Sequence, residues 1–475
     1  MSRLRAKISR LRVRIAVRRR GELGGFATDS LYVAVWQGAT SLADLAQIAL
    51  IAHVLGLDQY GRFAVVVAFV MLVTAFFDVR VGVAATTLGA RELQDPRRSA
   101  GIFQLSYLID AVTGVLAFVV VVALSFAVGP GLVGGNGTLL IVLFAIGVLA
   151  STLEDSSLAV LRLLDRFRLV AAYTVGLEAA RVALVAGALL FSEGLVPVIL
   201  ALVAQKMLVM VVQVVTAASS FRAAMGRPLL RKSALDAVTD KRRQMINTVL
   251  HTNVVSYARL AQTQLPTVVI GAISGTAQAG LYRIGMAAAA AVGRLADPAY
   301  AALLPRVSRL FAAGRQDSVK RLIERASLIS VPVMIVALAV VVLLRDPILQ
   351  LLGGQAATDA APVLAAGAVA FAINGAVFWN VGVLFAAGRA RTVSLIAVIT
   401  ALTQATLLVP LVLALDAEGA ALSFLVSMVL ANLAMTAVAL RLLARGAHRG
   451  PAAGASPGMR EGDAATGGAV TEEGI

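Results

Sequence analysis

The chain has no cysteine and only three histidines among its 475 residues. The absence of cysteine excludes disulfide bonds, thiolate metal sites and a cysteine nucleophile. The histidines, His53, His251 and His448, are far apart in sequence, which argues against a histidine-based metal site. We therefore expect no metal centre and no cofactor.

Charged residues are also scarce. They make up 14% of the chain, whereas 59% is hydrophobic, and the mean hydropathy is +0.87. A soluble domain is about half apolar and about a quarter charged. Apolar stretches of about 18 residues or more recur along the whole length, as in transmembrane helices. The sequence predicts an all-α polytopic membrane protein.

Turn signals divide the apolar sequence into twelve predicted spans. Spans 1 to 12 lie near residues 29–54, 61–89, 101–127, 138–161, 168–191, 195–218, 248–272, 279–308, 326–344, 361–387, 392–415 and 419–440.

Lysine and arginine are distributed unequally between the two sets of loops. The termini and the even-numbered loops carry 33 of the 42, and the odd-numbered loops carry only Arg345. Basic loops remain in the cytoplasm, so we expect a multi-pass protein of the inner (plasma) membrane with both termini cytoplasmic. This distribution explains the net charge of +16 without a nucleic-acid partner.

An internal repeat relates the two halves of the chain. The segment "DQYGRFAVVVAF" around Gly61 resembles "AQAGLYRIGMAA" around Gly280, and the same offset of 219 carries Asp78 onto Asp297. Six spans return the chain to its starting side. We therefore predict two six-helix lobes related by a pseudo-two-fold axis along the membrane normal, with the substrate between them.

These features predict five segments. They are a basic amphipathic cytoplasmic N-terminus (1–28), an N-lobe (29–218), a basic cytoplasmic linker (219–247), a C-lobe (248–441) and a disordered cytoplasmic tail (442–475). The N-terminus fits either an interfacial helix on anionic inner-leaflet lipids or a disordered tail that only enforces topology. No cleaved signal peptide is predicted.

Several charges fall inside the predicted spans. A charge at the centre of a membrane helix costs about 2.5–3.5 kcal/mol and is tolerated where it is paired or faces a watery cavity. Helical phase at about 100° per residue places Arg283, Arg294 and Asp297 on one face of span 8. Similar polar stripes run along spans 1 and 7, and Arg80 is in phase with Arg62 on span 2.

These stripes define the predicted central site. The candidate cations for an anionic lipid diphosphate are Arg259, Arg283, Arg294 and Arg80, and the candidate polar or ion-coupling groups are Asp44, Asp78, Asp297, Gln47, Thr252 and Ser256. Guanidinium groups bind phosphate through paired hydrogen bonds. The pattern indicates a transporter of a phosphate-bearing or other anionic substrate.

A second set of charges, in spans 4–6, is interpreted differently. It comprises Glu154, Asp155, Glu178, Arg181 and Lys206. Glu178 and Arg181 are three residues apart, which suits an ion pair within one helix. We interpret this set as buried ion pairs inside the N-lobe.

The chain to about residue 441 resembles the multidrug/oligosaccharidyl-lipid/polysaccharide exporter superfamily. The resemblance rests on the two lobes, on Tyr60-Gly61-Arg62-Phe63 at the start of span 2, and on "LLPRVSRLFAAG" (303–314) at the end of span 8. "AAGRARTVSLIAV" (386–398) favours its polysaccharide-flippase branch. The resemblance implies a cavity formed by spans 1, 2, 7 and 8, with Arg283 where flippases bind the lipid diphosphate. Asp44 is the counterpart of the coupling acid of drug exporters.

The expected function is translocation of a prenyl-diphosphate-linked oligosaccharide for cell-surface or exopolysaccharide biosynthesis, by alternating access. Polysaccharide assembly enzymes are candidate partners, and we expect a monomer. The alternative is a cation-coupled multidrug exporter of the same superfamily, although the low aromatic content of 5% and the basic site disfavour it. A membrane enzyme fits less well, because the outer loops are short and the linker carries only Asp236 and Asp240.

Overall fold

The computed structural model describes residues 22–78, 81–229 and 254–447, together with Leu235 and Val238. The N-terminal basic segment up to residue 21, most of the predicted linker and the tail from residue 448 lie outside the described residues. So do two predicted site residues, Arg80 and Thr252.

The described chain forms long helices that account for the twelve predicted spans. They are α1 (Glu22–Ala75), α2 (Val81–Arg91), α3 (Pro96–Val133), α4 (Gly137–Ser151), α5 (Glu154–Leu163), α6 (Phe167–Phe191), α7 (Leu195–Met225), α8 (Val254–Ile273), α9 (Thr276–Arg294), α10 (Asp297–Ala312), α11 (Gln316–Leu343), α12 (Arg345–Gly353), α13 (Ala361–Ala376), α14 (Trp379–Ala386) and α15 (Ala390–Ala447), with a 3₁₀ helix at Gln355–Ala360. The all-helical membrane fold is confirmed.

Eight of the described helical segments are long and apolar enough to cross a membrane. Two of them, Val35–Ala75 and Ala390–Ala444, hold two spans each, because the backbone leaves helical geometry at Gly56 in the first and at Leu415 and Asp416 in the second. The eight segments therefore account for ten of the twelve spans. The other two are spans 7 and 8, formed by α8 and by α9 with α10. Both carry several polar residues, and span 8 is divided into two shorter helices.

The two halves of the chain share their irregularities as well as their helices. Spans 2, 4, 8 and 10 are each interrupted, and each therefore consists of two helical pieces. The turns that lead into spans 2 and 8 contain Gly56 at φ 82° and Gly275 at φ 89°, again 219 residues apart. Positive φ values favour glycine because it has no Cβ. The repeat predicted from sequence therefore extends to backbone conformation.

The lobes pack together near the odd-numbered loops, which we call the outer side; the side of the even-numbered loops is the basic side. Gly61 of α1 lies against α9, and a Cβ there would lie 1.7 Å from the carbonyl oxygen of Thr276. The Thr276 hydroxyl donates a hydrogen bond to Asp58, and α12 packs on α1. On the basic side, the described helices α2 and α10 pack mainly against their own lobes. The lobes are therefore joined chiefly at the outer side.

Candidate functional site

A cavity of about 400 Å³ lies between the lobes, and helices of both lobes line it. Most of its wall is apolar. Its polar lining residues are Asp44, Gln47, Tyr60, Arg181, Gln205, Lys206, Thr263, Tyr282, Arg283 and Arg294. Pockets of about 300–1,000 Å³ with an apolar wall and a few convergent polar groups are typical of ligand sites.

Arg283 projects from α9 into this cavity. Its guanidinium group lies within electrostatic range of the Tyr60 phenol, across the lobe interface. Gly280, one turn earlier on α9, permits this close approach, because a Cβ there would lie 2.8 Å from the carbonyl oxygen of Leu57. Within the described ranges Arg283 forms no ion pair. Its positive charge is therefore not neutralised by another described residue.

Arg294, at the end of α9, also lines the cavity and is exposed. Span 8 is interrupted immediately afterwards, where the backbone N–H groups of Leu295 and Ala296 bond to carbonyls three residues back rather than four. The helical phase calculated from sequence assumed an unbroken helix, so it does not carry across to Asp297. Asp297 begins α10 within electrostatic range of Arg294 and Arg259 and does not line the cavity.

The polar residues of the predicted stripe on span 7 do not all line the cavity. Thr263 lines the cavity, but Arg259 does not; it is exposed and close enough to interact electrostatically with Asp297 and Tyr300. Ser256 lies in α8, and the structure does not describe its side chain. Arg259 and Asp297 thus form a separate group at the interruption in span 8.

Four of the five N-lobe charges, all but Asp155, form ion pairs with other described residues, and Arg181 and Lys206 also line the cavity. Arg181 contacts Asp44 (Nη2–Oδ1, 2.8 Å) and Glu178 (Nε–Oε2, 2.8 Å). The Arg181 side chain is 15% exposed and that of Asp44 is 46% exposed. Asp44 and Gln47 line the cavity as predicted, but the nearest charge to Asp44 is a neutralising arginine. Sequence reasoning paired Arg181 within its own helix and did not foresee its bond to span 1.

Lys206 is a cavity residue that sequence reasoning assigned only to the N-lobe interior. It lines the central cavity, and its Nζ lies 3.9 Å from Oε1 of Glu154. At that distance the Lys206 charge is only loosely compensated. The signal available in sequence was a lone lysine within the apolar α7, next to Gln205, which also lines the cavity.

Asp78 lies outside the central cavity. It lines a neighbouring pocket, formed mostly by the N-lobe and by Leu260 of the C-lobe, together with Asp110 and Asp155. Asp110 accepts a hydrogen bond from Ser156, and Asp155 accepts one from the backbone N–H of Gly82 at 2.8 Å. These bonds tie span 3 to span 4 and span 4 to span 2, so the acids hold the interrupted spans together.

The central cavity therefore has an excess of cationic groups. Asp44 is neutralised by Arg181, whereas Arg283 and Arg294 have no ion-pair partner in the described chain. Weakly hydrated guanidinium groups in a largely apolar cavity attract anions and bind phosphate with two hydrogen bonds. The arrangement suits a ligand with an anionic head.

Several solved structures share this fold. An inward-facing multidrug resistance MATE family transporter of the MOP superfamily matches with a TM-score of 0.66 at 12% identity, covering 86% of this chain and 96% of that chain. The lipid II flippase MurJ, in an inward closed conformation, matches with a TM-score of 0.66 at 12% identity, covering 88% and 91%. A MOP superfamily transporter from Pyrococcus furiosus, described as having a binding pocket of reverse polarity, matches with a TM-score of 0.61 at 12% identity, covering 89% and 96%.

The sequence comparisons are more specific about the family. No curated protein matches the chain. The family model described as polysaccharide biosynthesis protein matches residues 26–311, which is more than half of the chain. The protein therefore belongs to the polysaccharide biosynthesis protein family, and its fold is that of the exporter superfamily which the sequence resembles.

Proposed function

We propose that the protein is a flippase that carries a prenyl-diphosphate-linked oligosaccharide from the cytoplasmic to the outer leaflet of the inner membrane. The observation that carries the proposal is Arg283, a guanidinium without an ion-pair partner in the described chain, in a cavity between two lobes. Its family of polysaccharide biosynthesis proteins supports a glycan cargo, and the fold relative MurJ is itself described as a lipid flippase.

In the proposed mechanism the diphosphate binds to Arg283 and Arg294 while the prenyl tail stays in the bilayer. The basic side is cytoplasmic, because basic loops remain there. The contact around Gly61 and Gly280 closes the outer side, so the substrate enters from the cytoplasm. Rocking of one lobe against the other then exposes the same site to the opposite side. No step requires a covalent intermediate or a catalytic residue.

A cation-coupled multidrug exporter is the second candidate, and the fold comparisons support it as well. An aromatic pair, Phe371 and Phe424 with ring centroids 5.5 Å apart, lines the cavity and offers an apolar surface for a drug. The electrostatics favour the flippase, because a cationic drug would meet Arg283 and Arg294. Asp44, the candidate coupling acid, is neutralised by Arg181 at 2.8 Å.

Glycan export by Arg283→Ala and Arg294→Ala variants tests the proposal in a deletion strain. We expect the double variant to accumulate the lipid-linked precursor while the protein level in the membrane stays normal. Arg389→Ala combined with Arg391→Ala removes the same charge from a basic-side loop and should leave export intact. Full export by the cavity double variant would disprove the assigned role, and drug sensitivity of the deletion strain with normal glycan export would favour the exporter.

A further inference from the structure

The basic side of the C-lobe has a second cationic pocket, separate from the central cavity. It has a volume of about 570 Å³ and lies where α10 turns into α11. Five arginines line it, namely Arg306, Arg309, Arg315, Arg321 and Arg325. Positive residues are expected in a cytoplasmic loop, but topology alone requires neither a concave site nor the convergence of five guanidinium groups.

These guanidinium groups are not neutralised by the protein. Within the described ranges none of the five forms an ion pair, although Asp317 and Glu324 lie on the same helix, α11. Two of them make only local hydrogen bonds, from Arg309 Nε to the Pro305 carbonyl and from Arg321 Nη2 to Ser318 Oγ, each 3.3 Å long. Neither acid lines the pocket, so the five arginines leave an excess of positive charge, which suits a ligand with more than one phosphate.

An apolar groove of about 350 Å³ continues from this pocket into the membrane-spanning part of the same two helices. Its lining includes Ala299, Leu303, Ala326, Ile329, Val333 and Met334. Arg306 lines both the pocket and the groove, so the charged and apolar parts adjoin. A soluble anion would use only the pocket, whereas a phospholipid would fill both.

We propose that this pocket and groove form a binding site for one phospholipid of the cytoplasmic leaflet whose headgroup carries two phosphates, as cardiolipin does. Basic pockets between membrane helices on the cytoplasmic side have the chemistry that recognises such headgroups. The headgroup contacts the arginines and an acyl chain occupies the groove. No residue that the structure describes lines both this groove and the central cavity, so the bound molecule is a membrane lipid and not the cargo in transit.

The position of the site suggests its effect. The groove reaches Leu295 and Ala296, the residues at which span 8 is interrupted, and Arg294 of the central cavity immediately precedes them. A lipid in the groove would hold α10 against α11. It would thereby stabilise one position of α10, the part of span 8 that follows the interruption. The site is therefore a point at which membrane composition acts on the transporter.

Cardiolipin binding to the purified full-length protein tests the proposal by native mass spectrometry, with phosphatidylcholine as the neutral reference. Charges near a membrane surface contribute about 1 kcal/mol each. Arg309→Gln combined with Arg321→Gln should therefore weaken binding by about 30-fold, at about 1.4 kcal/mol per tenfold change. The control, Arg389→Gln combined with Arg391→Gln, removes the same charge from another basic-side turn and should change binding by less than about threefold.

The groove is tested separately. Ala326→Trp fills it and should also weaken cardiolipin binding, whereas Leu328→Trp, at a 77% exposed position of the same helix outside the groove, should not. If the Arg309/Arg321 variant and the Arg389/Arg391 control lost cardiolipin binding equally, the binding would reflect only general surface charge. That result would overturn the proposal. Unchanged binding in Ala326→Trp would overturn it too. None of these readouts depends on which substrate is transported.

Discussion

Gly61 and Gly280 pack directly against each other across the two lobes: a Cβ on Gly280 would lie 3.3 Å from the Cα of Gly61. The two glycines occupy equivalent places in the internal repeat, and the contact joins α1 to α9 at the outer side. Neither position has room for a side chain, because the backbone atoms of the two helices are in direct contact there. Closure of the outer side therefore depends on the absence of two side chains.

A side chain at Gly61 should prevent this closure. In Gly61→Val the Cβ would lie 1.7 Å from the Thr276 carbonyl oxygen, a clash that must separate α1 from α9. Overpacking typically costs about 1–3 kcal/mol, and we expect a lower melting temperature together with loss of export. Gly131→Val is the matched control, since nothing lies within 4 Å of a Cβ at that position. A normal melting temperature and normal export in Gly61→Val would contradict the close contact.

The outer contact should also be lockable by a cross-link. The chain has no cysteine, so the pair Asp58→Cys and Thr276→Cys can be introduced without removing any other thiol. The native side chains are hydrogen-bonded, which places the two positions close together. We expect a disulfide on oxidation, loss of export, and recovery after reduction. Each single variant serves as a control, and export by the fully cross-linked protein would show that this contact need not open.

Substitutions of Arg181 and of Arg283 should affect different properties, the first the stability of the protein and the second its transport activity. Removing Arg181 leaves Glu178 and Asp44 without their partner. Loss of one member of a fully buried pair costs about 3–5 kcal/mol, and we expect about 2 kcal/mol for Arg181→Met because Asp44 is half exposed. Arg283→Met removes no ion pair in the described chain, so it should abolish export with little change in melting temperature.

A double-mutant cycle checks the Arg181 assignment. Asp44→Asn added to Arg181→Met should restore part of the lost stability, because an unpaired carboxylate is then removed. The same Asp44→Asn change in the wild-type background should be destabilising. Additive effects of the two substitutions would mean that Arg181 and Asp44 are not coupled.

The negative charge of Asp297 should weaken anion binding in the central cavity. It lies within electrostatic range of Arg294 and Arg259 and lowers the positive potential that an anion meets. Partly exposed charge pairs contribute about 0.2–1 kcal/mol, so Asp297→Asn should tighten binding of farnesyl diphosphate by about 1.4- to fivefold. Asp346→Asn removes the same charge from an exposed outer-side position beside Arg345 and should have no effect. Weaker binding in Asp297→Asn would contradict this role.

The sequence was sufficient for the architecture and for part of the site. Arg283 was found because a charge in an otherwise apolar helix needs a reason, and the glycine pair was found because the repeat preserves it. The phase relation of Arg294 to Asp297 was not predictable, because an interruption of two residues at Leu295 and Ala296 changes the direction of everything after it.

Contacts between side chains on different helices could not be predicted from the sequence either. Arg181 is three residues from Glu178, and that spacing predicted their pair, but its bond to Asp44 joins residues 137 apart in the chain. Lys206 lines the cavity because α7 packs beside α4, and helical periodicity gives the face of a helix without naming its neighbour.

The agreement of the two lobes in their interruptions and turns, together with their different charges, has an evolutionary consequence. The two halves share the same helix interruptions and turns, yet their electrostatics differ. In one copy the acids and bases neutralise one another, and in the other the arginines remain available. Backbone symmetry and chemical asymmetry can therefore be inherited separately, and a new cargo could arise by changing the charges of one half while the helix interruptions of both are preserved.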